Sequence, residues 1–317
     1  MPGTCLLARS VRPDGAAWVP SEPSARDTAE VVRALFALGP RGAASSIDPR
    51  QSLGSLVRNS VHGADAELLA LLLWADTFGG GEHADRLTAA LDVRLDAEEP
   101  STLGWAWVLS AACALVAKGE DRAAAMARRA ARAIAGSQHR ATGLFHPSGR
   151  REGWLRRRKS TATLSSQTFA IQALAAVARL GVAESEDAVR RANACAVALC
   201  GLQGPDGQWW RRYDVTRGEV AERYPVHAVN QDGGMPMAIA ELHNTLGDRR
   251  YESHLARGIE WVFGANELRQ SLVDPDSGDM VSTIEEAEGG FRVVREMYLY
   301  HPARCLFALH LLESSGW

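Results

Sequence analysis

Within one short stretch the chain places Tyr224, His227, Asn230, Gln231 and Asp232, five side chains that can each give or take a hydrogen bond. Tyrosine and histidine are natural partners for general acid and base work, and an amide side chain can hold a substrate oxygen or carboxylate. Tyr224 and His227 are read as proton donor and acceptor, and Asp232 as the group that orients His227 or removes a proton itself. Asn230 and Gln231 are candidate substrate ligands. Two plainer readings stand beside this one. Pro236 suits the first turn of a helix, so Asp232 just upstream is also placed to cap it, and His227 is equally suited to a structural hydrogen bond.

Flanking stretches add candidates. Trp209, Trp210, Arg211, Arg212, Tyr213 and Asp214 precede the cluster, and Asn266, Glu267, Asp274 and Asp276 follow it. Aromatic rings beside arginine and carboxylate suit a sugar, whose C–H face packs on a ring while its hydroxyls bond charged groups. Asp274 and Asp276, in VDPDSGD, are equally suited to a tight turn. The run Arg150, Arg151, Arg156, Arg157, Arg158 and Lys159, broken by Trp154, is the strongest charge feature of the chain. As a solvated face it needs no partner. Turned toward a site, Arg151 and its neighbours would offer bidentate contacts to an anionic substrate such as a uronate, phosphate or diphosphate.

Composition narrows the classes. A hydrophobic fraction of 46%, a charged fraction of 23% and a formal net charge of −3 describe an ordinary folded chain and argue against a nucleic-acid partner. No run approaches the roughly 18 apolar residues of a membrane span, and the first residues lack a signal-peptide core, so a cytoplasmic protein with a small-molecule substrate is expected. H-E-x-x-H, G-x-S-x-G and G-x-x-x-x-G-K-S/T are absent, and the enzyme classes that use them lose support. Cys113, Cys195, Cys200 and Cys305 lie on apolar helical stretches and read as core residues; no C-x-x-C pair occurs. His301 and Cys305, one helical turn apart, are the nearest approach to a metal pair, and no metal or cofactor is expected.

What must position these side chains is helical. Apolar residues recur at helical spacing in AELLALLLWADTF, TLGWAWVLSAACALVAKG, QTFAIQALAAVARLG and GMPMAIAELHNTLGD, and strand-like alternation is nearly absent. Several segments stop at glycine, among them Gly79, Gly119, Gly181 and Gly247, which gives about eleven helices. Brief turns at 79–84, 118–121, 181–187 and 247–250 alternate with long polar loops at 137–164, 202–232 and 265–296. In a ring of hairpins every second connection falls on the same rim, so the long loops, with their candidate residues, should surround one mouth. The junctions AARAIAGSQHRATGLFHPSG, CAVALCGLQGPDGQWWRRYD and GIEWVFGANELRQSLVDPDSGDM look alike and fall about 65 to 70 residues apart.

Gln203, Gly207 and Trp209 in the central junction match QxxxGxW, and there the sequence resembles the squalene-cyclase and prenyltransferase repeat superfamily. The resemblance implies an α/α toroid in which the glutamine caps a neighbouring helix end and stacks on the tryptophan. It also implies a terpenoid or prenyl cyclase, for which nine tryptophans offer cavity walls. The D-x-D-D and D-D-x-x-D motifs of that superfamily do not occur, so such a cyclase would need a single acid, Asp232. Residues 165–312 are similar to uncharacterised bacterial toroid proteins associated with polysaccharide gene clusters. Tyr224, Pro225, Val226, His227, Gln231, Asp232, Met235, Pro236, Met237 and Ala238 fall on that pattern, and Asn230 stands where it has His. This second resemblance implies a carbohydrate-active lyase, epimerase or hydrolase working on an acidic or nucleotide-linked sugar. A third class is a toroid that binds a ligand without turning it over. The expected architecture is all-α, a single α/α toroid of five to six helical hairpins over 1–317, with 1–24 as an N-terminal extension.

Overall fold

The computed structural model describes residues 6–14, 17–44, 46–147, 160–182, 185–274, 276, 280, 283–294, 297–298 and 300–314. Among them the apolar spacing produces α1 (Ala25–Ala37), α2 (Pro49–Ser60), α3 (Ala66–Gly79), α4 (Ala84–Ala97), α5 (Thr102–Ala117), α6 (Ala123–Ser137), α7 (Leu164–Leu180), α8 (Ser185–Gly201), α9 (Met235–Leu246), α10 (Glu252–Val262) and α11 (Tyr300–Ser314). Ser24, Asp65, Ser101 and Thr163 start α1, α3, α5 and α7, and each accepts a hydrogen bond from an N–H of the first turn. No helix among the described residues is long and apolar enough to cross a membrane.

The odd-numbered helices pack side by side in order, and α11 returns to α1, which closes a ring. Burial follows the same division. The runs of α3 and α5 are apolar on every side and almost wholly buried, whereas α4, on the outside, buries Leu87, Leu91 and Leu95 along one stripe. The protein is an α/α toroid. Because each inner helix is reached through an outer one, the six inner helices run the same way and their N-termini share one rim. There Arg26 of α1 bonds Glu67 of α3 at 2.9 Å, and Glu67 accepts from the Ser101 hydroxyl at the head of α5 at 2.6 Å. Aromatic rings pack across much of the bore behind this rim. Phe169 of α7 meets Trp74 and Trp107 edge-on with centroids 6.3 and 5.9 Å away, and Trp74 meets Phe307 of α11 at 6.1 Å.

Three small antiparallel sheets dress the rim. One joins β1 (Ser10–Asp14), β2 (Ala17–Pro20) and β9 (Met297–Tyr298); the second joins β3 (Thr161–Thr163), β4 (Arg212–Asp214) and β5 (Glu219–Glu222); the third joins β6 (Val226–His227), β7 (Thr283–Ala287) and β8 (Gly290–Val294). The sequence reading found almost no strand signal, because strands of two to five residues are too short for alternation to register. The second and third sheets knit the long loops to one another, as a shared rim requires. The first ties the N-terminal segment to the loop before α11.

The junction repeat has a common geometry. Gln138 donates through Nε2 to the carbonyls of Gly143 and Arg191, and Gln203 donates likewise to those of Gly207 and His254, so each pins its turn to an outer helix. A second pair of glutamines repeats as well. Gln167 accepts from the Phe145 N–H and donates to its carbonyl, both at 2.8 Å; Gln231 does the same for Trp209 at 2.8 and 3.0 Å. Gly143 and Gly207 have φ of 77° and 96°, and a Cβ on either would strike the carbonyl oxygen of Ala194 or Arg257 on the adjoining outer helix. Gln231→Ala therefore strands two buried backbone groups, and equilibrium denaturation should show a loss of about 2–3 kcal/mol. A loss below about 0.5 kcal/mol would mean that the clamp is dispensable.

Candidate functional site

Residues 230–234 form a single π-helical turn immediately before α9, a local departure that often marks functional sites. Pro236 occupies the first turn of α9, as expected, but that helix has no side-chain cap. Asp232 is turned away to α11 instead, where both carboxylate oxygens lie 2.9 and 3.0 Å from His301 Nε2. The two side chains are sealed, at 7% and 1% exposed. With Nε2–H donating to the carboxylate, Nδ1 keeps its lone pair. Among the described residues it is buried without a hydrogen-bond partner. Burial, and then the charge of Asp232, push the Cys305 thiol up to about 12, so Cys305 remains a thiol and a poor metal ligand. Among the described residues no three His, Cys, Asp or Glu side chains gather as a metal site.

A second cluster forms around Glu267, beyond the end of α10. Tyr224, whose peptide bond to Pro225 is cis, donates to Oε1 at 2.6 Å; Gln208 Nε2 donates to the same oxygen at 2.9 Å, and Trp261 Nε1 to Oε2 at 2.8 Å. The Tyr224 ring stands edge-on to Trp210 at 5.7 Å and tilts over Phe291 at 5.0 Å. Burial, reinforced by the Glu267 carboxylate, holds the Tyr224 hydroxyl well above the ordinary tyrosine range, so Tyr224 acts as a donor.

His227 lies between these groups on the third sheet, with Nδ1 3.1 Å from the Thr283 hydroxyl and its ring edge-on to Tyr298 at 6.2 Å. Tyr298 leans on Tyr300 at 5.5 Å, and the Arg304 guanidinium lies 4.7 Å from the Tyr300 ring. Arg304 in turn grips Glu30 of α1 through Nε and Nη2, the latter at 2.6 Å. A line of rings thus leads from half-buried His227 down to a buried ion pair on α11, the helix that also supplies His301.

The sequence candidates divide on this geometry. Tyr224 and Glu267 are in direct contact, whereas Asp232 orients His301 rather than His227, whose partner is Thr283. Gln231 is spent on the Trp209 backbone, and Trp209 and Tyr213 are wholly buried, the Tyr213 hydroxyl accepting the Trp210 N–H. Asn266, also wholly buried, closes its own turn through the Trp261 and Gln270 carbonyls. With their polar atoms engaged in this way, Gln231, Tyr213 and Asn266 serve the ring rather than face the mouth. Trp210 is buried beneath Tyr224, and Asn230 is buried at the head of the π turn. Arg211 pairs with Glu222 at 2.7 Å; Asp214 takes up the N–H groups of Thr216 and Arg217, a turn role. Asp274 likewise accepts the Asp276 N–H. Arg151 and the basic run around it lie outside the described residues.

Sequence reasoning missed His301 as the partner of Asp232, and it missed Gln208, Trp261, Thr283, Tyr298, Tyr300, Arg304 and Glu30. The usable signal was the crowding of Tyr298, Tyr300, His301 and Arg304 at the head of an otherwise apolar helix.

The tyrosines give this arrangement a titration signature. The chain has five, and Tyr213, Tyr224, Tyr251 and Tyr300 are all raised, chiefly by burial, Tyr251 and Tyr300 to about 12. Unfolded tyrosines ionise near 10, so their contribution to stability is complete below about pH 10 and is lost as pH rises from there toward 12. An ultraviolet titration of the native protein at about pH 10.5 should show no more than one tyrosinate. Three or more would contradict the packing around Tyr224 and Tyr300.

No family model and no curated protein matches the chain. Solved structures do. A D-mannose isomerase superposes with TM-score 0.68 at 11% identity, over 99% of this chain and 94% of its own. The unsaturated glucuronyl hydrolase of Streptococcus agalactiae follows with TM-score 0.63 at 10% identity, over 96% and 86%. The ent-copalyl diphosphate synthase of Streptomyces platensis is similar with TM-score 0.58 at 20% identity, over 93% of this chain but 52% of that one. At these identities the likeness is one of fold.

Proposed function

We propose that the protein is a carbohydrate-active enzyme, a lyase, epimerase or hydrolase, working on an acidic or nucleotide-linked sugar at the loop rim. The observation that carries this reading is the sealed Asp232–His301 pair beside a rim of polar side chains. Epimerases remove and return a carbon-bound proton, lyases remove one while an acid protonates the departing oxygen, and hydrolases activate water; a histidine backed by a carboxylate serves all three. In this scheme His301, oriented by Asp232 through Nε2–H, takes up the substrate proton at Nδ1, or gives it back there, since no protein group among the described residues occupies that lone pair. His227, steadied by Thr283, and Tyr224, held by Glu267, are the acceptor and donor nearest the mouth, and Asn230 binds a substrate oxygen. Six inner-helix N-termini on one rim favour an anionic group there. Support also comes from the similar structures, two of which are named for work on sugars, one of them a glucuronyl compound.

Thermal-shift binding against sugar acids, nucleotide sugars, D-mannose and polyprenyl diphosphates, repeated with His227→Ala and Asp232→Ala, tests the reading. Stabilisation by a sugar that disappears in both variants is expected. Stabilisation that survives both substitutions would move the site elsewhere, and binding without turnover would leave a non-catalytic toroid.

A second reading, a terpenoid cyclase with Asp232 as its acid, is favoured by the aromatic bore. Trp74, Trp107, Phe169 and Phe307 are the ring type that stabilises carbocations. They pack on one another, however, with at most 4% of any ring residue exposed, which suits a core better than a chamber. Cyclisation of a polyprenyl diphosphate would decide for it.

A further inference from the structure

Where α1 meets α11, two buried arginines, Arg33 and Arg304, lie near the Glu30 carboxylate. Arg33 is wholly buried, with Trp74 and Phe307 on either side of its guanidinium at 4.1 and 3.9 Å to the ring centroids. These rings satisfy the flat faces of the group and leave its N–H edge open. Among the described residues none accepts a hydrogen bond from Nε, Nη1 or Nη2. The carboxylate one turn back, Glu30, is held in a two-point pair by Arg304, so one carboxylate serves two buried arginines. A guanidinium in that position retains its desolvation cost unless an acceptor arrives. Burial also draws the pKa of Arg33 down to about 9, an effect that nearby Glu30 opposes and Arg304 slightly reinforces.

The same level of the ring holds further open polar atoms. Arg33, Ser110 and Gln172 are each the ninth residue of their inner helix, and these helices run parallel. Among the described residues Ser110 Oγ and Gln172 Oε1, both buried, likewise find no hydrogen-bond partner. We infer that the bore is an oxyanion-binding site in which the edge of Arg33 receives a phosphate or carboxylate group, at a level marked by Ser110 and Gln172. This site is separate from the rim and does not depend on the sugar reading.

The test compares inorganic phosphate, pyrophosphate and acetate with chloride at equal ionic strength and pH, read by thermal unfolding and by titration calorimetry. The wild-type protein should show a saturable rise of about 4 °C with the anion that fits, phosphate or carboxylate. Arg33→Met should unfold at or above the wild-type temperature in chloride, having lost an unneutralised buried charge, and should not respond to either anion. Arg33→Lys, which keeps the charge but loses the fork, should bind about tenfold more weakly. The exposed-arginine variant Arg41→Gln should respond like wild type. If no anion moves the wild type, or if Arg33→Met responds as wild type does, the inference is overturned. If Arg33→Met does not fold, the Arg33→Lys response decides by the same standard.

Discussion

Asp232→Asn should lower turnover about 100- to 10,000-fold while the ring remains folded. Asparagine is nearly isosteric and can still accept the His301 Nε2–H at close to 2.9 Å, so packing around the π turn is retained. It cannot stabilise a positive imidazole, and its amide can turn to present N–H instead of oxygen, which would reverse the donor sense at Nε2. The loss should fall mainly on kcat, because the nearly isosteric asparagine keeps the shape of the π turn on which binding depends and removes only the charge. Circular dichroism and steady-state kinetics on the sugar identified by binding would check both halves. An Asp232→Asn protein with undiminished kcat would remove the pair from the mechanism. The companion His301→Ala should instead cost stability, about 3–5 kcal/mol, by leaving a buried carboxylate without its partner.

Glu30→Gln should be the most damaging conservative change to the fold, with a loss of about 3–5 kcal/mol in equilibrium unfolding. Glu30 is 4% exposed and bridges the first and last inner helices through Arg304, so it closes the ring and neutralises charge at once. Without it, Arg33 and Arg304 lie buried together with no carboxylate hydrogen-bonded to either among the described residues. Adding Arg304→Met to Glu30→Gln should restore much of the loss, since an apolar side chain of similar length needs no counter-charge. Additive effects in that double-mutant cycle would show that the pair does not act as a unit.

What could be read in the sequence was whatever depends on neighbours along the chain. The all-round apolar runs of α3 and α5, the Ser, Asp and Thr caps of the inner helices and the alternation of short and long connections each have local causes, and together they imply a ring with one elaborated rim. Tyr224, His227, Asp232 and Glu267 stood out because their chemistry is concentrated on that rim. The partners did not, because contact is a property of closure: His301 meets Asp232 across 69 positions, and Arg304 meets Glu30 across 274. Gln231 shows the converse difficulty. A glutamine near a helix start has the same appearance whether it reaches a substrate or clamps the backbone of Trp209, and its likeness to Gln167 becomes visible when both clamps are seen. Charge on α1 was equally ambiguous, since Glu30 and Arg33 one turn apart resemble a solvated pair until the ring places them inside.

Whether Asp232 and His301 move a proton on a sugar at the rim is decided by proton NMR of the wild-type protein and Asp232→Asn, each incubated in deuterium oxide with sugar acids, nucleotide sugars and D-mannose, alongside geranylgeranyl diphosphate. The wild type should exchange a carbon-bound proton of one sugar or release a new sugar product, and Asp232→Asn should do so at least about 100-fold more slowly, as about two orders of magnitude is the lower bound for losing a general acid–base group. Unchanged sugars beside a cyclised diphosphate would contradict this and transfer the site to isoprenoid chemistry.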